Sequence, residues 1–244
     1  WQAQRPGAPA APTATPTAGW FAVDKDVNQA RVSFGLPAID RYDPDWYAAL
    51  VMNDILGAGG FSSRLVNRIR SDEGLAYSVR SSLAGGTYYP EEFRVAFQTK
   101  VRSTAYAVQI ALAEINRIRD EKVTDDELSL AKASFIESLP AGFETAGSIA
   151  GALAADELTG RYAKDPAYYR EYAARINAVT VDDVQRVARR LLDPAKMTFL
   201  VVGNLNDVML GDPKHDVTVE QLAGGRPTAL PLRDPLTMKP LAAQ

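Results

Sequence analysis

The chain reads as an α+β domain, a largely antiparallel or mixed sheet with helices packed on one face. Three observations predict it. Runs alternating apolar and polar residues, the mark of a half-buried strand, occupy 27–36, 75–83 and 93–100, and the last two are spaced as a hairpin. From about residue 103 a series of helix-period segments follows, and the apolar run 196–203 comes after it as a further strand. Strands and helices that do not strictly alternate favour a layered α+β arrangement over a doubly wound parallel sheet.

In "VNQARVSFGL" (27–36), Val27, Gln29, Arg31 and Ser33 alternate with Asn28, Ala30, Val32 and Phe34, so one face is the more apolar. Asp43 and Pro44 predict a helix start, with Asp43 as cap and Pro44 in the first turn. Trp46, Leu50 and Ile55 form its apolar face, and Gly57 stops it. The cluster "GAGG" (57–60) is a tight turn into a second helix, for which Ser62 and Ser63 are candidate caps, Leu65, Val66 and Ile69 the apolar face, and Gly74 the end. In "LAYSVRSSL" (75–83), Leu75, Tyr77, Val79, Ser81 and Leu83 fall on one side of a strand. The partner run sets Phe93, Val95 and Phe97 against Arg94, Ala96 and Gln98.

Helices are then expected at 103–120, 124–139, 144–160, 166–177 and 180–193. Thr124 with Glu127 is a capping box, and Thr180 caps the last of the five. The segment 144–160 is rich in small residues and is expected to pack closely on a neighbour. "KMTFLVVG" (196–203) is continuously apolar, which predicts a strand buried on both faces. Residues 1–20, rich in Pro, Ala and Thr, read as a linker, 21–210 as the folded domain, and 211–244 as an irregular tail, a strap or a disordered end. A chain that opens on a linker is expected to be part of a longer protein.

Composition removes several function classes. The net charge of −3, with Lys and Arg scattered among Asp and Glu, argues against nucleic acid as a partner. Without any Cys, thiolate catalysis and Cys-ligated metal are excluded. The single His, His215, lies in the polar run "GDPKHD" and reads as a solvated loop residue. One imidazole does not make a catalytic zinc sphere. No apolar run approaches the roughly 20 residues that span a bilayer, and the first residues lack the apolar core of a signal peptide.

Among candidate sites, the Gly cluster lacks the spacing of a phosphate loop and follows a helix instead of a strand, so nucleotide binding drops out. Asp125-Asp126 and Asp182-Asp183 each follow a Thr at a helix start, where carboxylates favour the positive end of the dipole. Tyr88-Tyr89 and Tyr168-Tyr169 read as surface or interface aromatics. There remains "RIRSDEGLAY". Arg70 stands near the end of a helix, Tyr77 enters the next strand, and Gly74 lets the backbone turn between them. Two readings stand. The pair converges at one edge of the sheet, where a cation and a phenol suit developing negative charge on a carbonyl oxygen; or Arg70 bridges Asp72 or Glu73 and Tyr77 fills a core position.

The run "ILGAGGFSSRLVNRIRSDEGLAYSV" (55–79) resembles the second-domain signature of M16-type zinc peptidases, the group of pitrilysin, insulin-degrading enzyme and mitochondrial processing peptidase. "VTDDELSLAKASFIESL" and "TVDDVQRVARRLLDPAKMTFLVVGN" extend the likeness, which covers roughly residues 25–205. The resemblance implies an M16-type C-terminal domain, an α+β fold, and a role for Arg70 and Tyr77 as the catalytic pair. Tyr77 then contacts the substrate carbonyl or tetrahedral intermediate, and Arg70 orients substrate or helps bind that oxygen. In this family the zinc ligands form an H-x-x-E-H motif on another domain. None occurs here, so the chain is expected to hold no metal or cofactor of its own, with zinc in a missing domain or a partner subunit. The implied partners are a peptide substrate and a zinc-carrying M16 domain, in a parent that forms dimers. Alone, the chain is expected to be inactive. A non-catalytic partner subunit and a scaffold of the respiratory core-protein type are the alternatives, and both cytoplasm and periplasm fit.

Overall fold

The structure, a computed structural model, describes residues 7–13 and 15–241. Part of the expected linker, residues 1–6 and 14, lies outside the described residues. Residues 7–13 and 15–18 have no regular secondary structure and are exposed. Six strands form one sheet in the order β3-β4-β2-β5-β1-β6. They are β1 (Gly19–Asp24), β2 (Gln29–Pro37), β3 (Ala76–Leu83), β4 (Glu92–Lys100), β5 (Thr198–Gly203) and β6 (Thr228–Leu230). β2, β3 and β4 pair antiparallel, as do β2 and β5, whereas β1 runs parallel to both β5 and β6. The sheet is mixed, and the fold is α+β.

Alternation decides which face is covered. Ala30, Val32, Phe34 and Leu36 of β2 and Phe93, Val95 and Phe97 of β4 are buried, while Gln29, Arg31, Glu92, Arg94 and Gln98 between them are exposed. The buried face meets α1 (Trp46–Asn53), α2 (Thr104–Asp120), α3 (Asp125–Ser138), α6 (Tyr168–Ala178) and α7 (Val181–Leu191), whose apolar stripes complete one core. α4 (Ala146–Thr159) and the short α5 (Arg161–Lys164) lie outside it. Thr124 with Glu127 and Thr180 with Asp183 form capping boxes, and both acidic pairs sit in the first turns of α3 and α7.

Several expectations need correction. β5 alternates Phe199, Val201 and Gly203, which are buried, with half-buried Thr198, Leu200 and Val202, so its second face is not sealed. β1 begins at Gly19, inside the expected linker, because Trp20 stacks on Phe199 at 4.2 Å and the strand pairs with β5 throughout. The segment from Gly211, read as irregular, contains α9 (Val219–Ala223) and β6; Val217 and Val219 close a second small cluster with Ala30, Val201 and Val208 of α8 (Leu205–Leu210). Asp43 does not cap α1. Its carboxylate is drawn to Arg190 of α7 and α1 starts three residues later, at Trp46. α4, expected to pack closely on a neighbour, buries only Asp156 and leaves Ile149, Leu153 and Leu158 exposed. His215 is not merely solvated: its ring stacks on Tyr106 at 3.5 Å and its Nδ1 lies 3.1 Å from Asp212 Oδ1.

Candidate functional site

Between α1 and β3 the chain abandons regular α-helix. A wide π-turn spans Asp54–Ala58, a 3₁₀ turn Gly60–Ser62, and a π-helix Val66–Asp72. Such i→i+5 geometry recurs at functional sites because it shifts side chains off the usual helical stagger. Gly57, expected as a helix stop, instead lies inside the π-turn, where a Cβ would stand 2.7 Å from Ser81 N and 2.8 Å from Leu65 Cδ1. Its role is close approach of the turn to β3. Ser63 does not cap with its hydroxyl, which donates to Gly60 O at 2.7 Å. Gly74, at φ +62°, turns the backbone out of the π-helix as expected.

The segment is fixed on both sides. Arg64 is buried and donates two hydrogen bonds, of 2.6 and 2.8 Å, to the Glu127 carboxylate on α3. On the other flank, Thr99 of β4 donates its hydroxyl to Leu75 O at 2.8 Å. Burial pushes the Asp54 carboxyl up to about 6.

Tyr77 is placed by an irregularity that alternation does not show. Ala76 pairs with Thr99 and Val79 with Phe97, so β3 spends three residue steps against two on β4, a bulge at Tyr77-Ser78. Ala76, Val79 and Ser81 are buried while Tyr77 is 85% exposed. The expected alignment of Tyr77 with Val79 and Ser81 on one side is therefore overturned.

Arg70 projects from the π-helix to the same rim. Its guanidinium carbon lies 4.9 Å from the Tyr77 ring centroid and 4.5 Å from that of Phe61, which is 69% exposed. The cation is thus held between two aromatic rings, a contact that orients it without consuming its charge. Arg68, not Arg70, pairs with Asp72, at 2.7 Å. Among the described residues Arg70 has no carboxylate partner, so the bridge to Asp72 or Glu73 is not formed. Sequence reasoning missed Phe61. Its signal was a lone large aromatic in the small-residue run "GAGGFSS". The rim carries a half-buried guanidinium and an exposed phenol hydroxyl, groups chemically suited to an electron-rich oxygen.

The described residues do not fit a zinc ion. No three His, Cys, Asp or Glu residues cluster, and the one His is engaged by Tyr106 and Asp212.

The family model described as "Peptidase M16 inactive domain" matches residues 2–135. The chain belongs to the M16 peptidase family. It is similar to an uncharacterized zinc protease of Streptomyces coelicolor, 31% identical over 185 residues, which cover 76% of this chain and 39% of that protein. It is also similar to a non-peptidase homolog of Helicobacter pylori, 35% identical over 127 residues, covering 51% of this chain and 28% of that protein. Among solved structures, the M16 inactive domain from Pseudomonas fluorescens matches with a TM-score of 0.70 and 25% identity, over 78% of this chain and 44% of that one. The chain spans about two fifths of the S. coelicolor M16 relative.

Proposed function

We propose that this M16 domain completes a peptidase site whose zinc is held elsewhere, by another domain or a partner subunit, and that Tyr77 and Arg70 are the groups it contributes. The observation that carries the reading is the pairing itself: an arginine with no carboxylate partner among the described residues, stacked on a tyrosine that a bulge has turned out of the core. The Tyr77 hydroxyl donates a hydrogen bond to the carbonyl oxygen of a bound peptide, and Arg70 places its positive charge beside that oxygen. Both contacts strengthen as the oxygen gains negative charge, which lowers the barrier instead of merely tightening binding. Phe61 keeps the guanidinium at the rim and offers an apolar surface to the peptide. On this reading hydrolysis occurs only in the assembled protein, and the isolated chain is inactive.

The similarity to a protein named as a non-peptidase homolog supports a second reading, in which the assembled protein binds peptides without cleaving them. Peptide hydrolysis by the assembled protein, abolished by a chelator and restored by zinc, separates the two. If it hydrolyses, Tyr77→Phe lowers kcat about 10–1,000-fold, the scale for one oxyanion donor, with zinc content and folding unchanged. Unaltered turnover in Y77F removes the assigned role.

A further inference from the structure

The helices of both apolar clusters pack on the side of the sheet that carries Ala30, Val32 and Val201. The opposite side of β2, β3 and β4 is open, and register makes it continuous with the Arg70 and Tyr77 rim. The two bulge residues, Tyr77 and Ser78, stand opposite Gln98 of β4, which pairs with Arg31 of β2. The next outward row runs Arg80, Ala96, Ser33 and Leu200, and the one after it Ser82, Arg94, Gly35 and Thr198. Beyond the Tyr77 row on the other side, Gln29 faces Lys100. With strands about 4.8 Å apart and residues about 3.3 Å apart along them, Arg31 and Arg80 stem about 10 Å from Tyr77 and Lys100 about 8 Å.

This face is cationic in a chain whose net charge is −3. β2, β3 and β4 direct Arg31, Arg80, Arg94 and Lys100 outward against one acid, Glu92, and all five are exposed. Glu92 takes Arg94, at 3.5 Å. Arg31, Arg80 and Lys100 have no carboxylate partner among the described residues. Asp24 supplies no counter-charge, because it is in register with buried Gly203 on the helix side and accepts the Leu205 N–H at 3.0 Å. The loops at the strand ends add Lys25, Asp26 and Glu91, which leaves five cations against three acids. Cations at such diagonal spacing on one sheet face repel each other. Between them the small residues Ala96, Ser33 and Gly35 leave a low floor.

Farther across the same face, Leu200 and Val202 of β5 and Phe21 and Val23 of β1 form a half-buried apolar strip. A polyphosphate backbone offers nothing to that strip, whereas a peptide carries carboxylates and apolar side chains together. We infer that the open sheet face selects peptides with acidic side chains, Arg31, Arg80 and Lys100 receiving carboxylates within about three extended residues of the bond held at Tyr77. This rests on the reading of the rim as a peptide site and adds the substrate class.

The test is fluorescence anisotropy of the 244-residue chain at low salt with a labelled ten-residue peptide of alternating Glu and Ala, its Gln counterpart, and a labelled ten-nucleotide oligothymidylate. The Glu peptide should bind at least about tenfold more tightly than the Gln peptide, and its binding should weaken as salt screens the contacts. Arg31→Gln and Arg80→Gln should each weaken it about two- to fivefold, the range of an exposed charge contact, and the double variant about five- to twentyfold. Both side chains are exposed, so the fold tolerates either change. Arg170→Gln, on the exposed side of α6, should alter affinity less than about twofold. Equal binding of the Glu and Gln peptides, undiminished affinity in the double variant, or an equal loss in R170Q overturns the inference. Tighter binding of the oligothymidylate, lost in the double variant, overturns it in favour of a nucleic-acid face. The two readings fail separately. Acid preference lost in the double variant, beside unaltered turnover in Y77F, keeps this inference and removes the role of Tyr77; a lowered kcat in Y77F beside equal binding of the two peptides does the reverse.

Discussion

Replacing Glu127 by Gln should be among the most damaging near-isosteric changes in this domain. The Glu127 carboxylate closes the capping box of α3, accepting the Thr124 backbone N–H at 2.9 Å, and it holds the buried Arg64 guanidinium through two short bonds. Burial alone would push this carboxyl up; the bonds from Arg64 and Thr124 override it and hold it below the ordinary glutamate range. Gln keeps the shape but turns one arm into a donor facing the guanidinium, and Glu114, which interacts with Arg64 through charge without an ion pair, does not replace the lost bonds. Breaking a buried ion pair costs about 3–5 kcal/mol. Because Glu127 retains 27% exposure, water recovers part of this, and about 2–3 kcal/mol is expected. For a domain of this size that is a fall in Tm of about 5–10 °C. Urea denaturation followed by circular dichroism, with a double-mutant cycle through Arg64→Met, measures the coupling. The E127Q and R64M losses should fall short of additivity by more than about 1 kcal/mol. The depressed carboxyl adds stability above the ordinary glutamate range that is lost as pH falls through its folded value, so the difference between E127Q and the parent should shrink in acid. Additive losses, or a loss in E127Q below about 0.5 kcal/mol, would refute the reasoning.

Asp54, pushed up to about 6, supplies a second pH effect with the opposite sign. The folded state retains a proton that the unfolded chain releases near 4, so stability is highest below that pH and falls as pH rises through about 6. The ceiling is about 3 kcal/mol, which water around a half-buried carboxyl reduces to about 1 kcal/mol; Asp54→Asn should flatten the profile between pH 4 and 7, and an unchanged slope in chemical denaturation would sink this. Gly57→Ala drives a Cβ against the Ser81 backbone and should cost about 1–3 kcal/mol by calorimetry, whereas a neutral result would mean the π-turn yields. Arg70→Gln removes the two cation–π contacts at the rim, to Phe61 and Tyr77, and should shift stability by less than about 2 kcal/mol; a larger loss would mark Arg70 as structural.

Local periodicity alone determined most elements of this protein. The caps at Thr124 and Thr180, the alternation of Phe93, Val95 and Phe97, and the break at Gly74 act within a turn or two of the residues they govern, so they are legible in one dimension. The spacing of Arg70 and Tyr77 was equally visible. Only the tertiary structure decided that β1 and β6 exist, because strands this short are held by pairing with β5 and with each other across most of the chain's length. It also decided that Asp43 serves Arg190 instead of capping α1, since the competing cation arrives from a helix 147 residues away. The orientation of Tyr77 is the sharpest case. Side chains alternate with period two, so one extra residue in β3 reverses the parity of everything before it, and that residue is set by pairing with β4, not by its own composition.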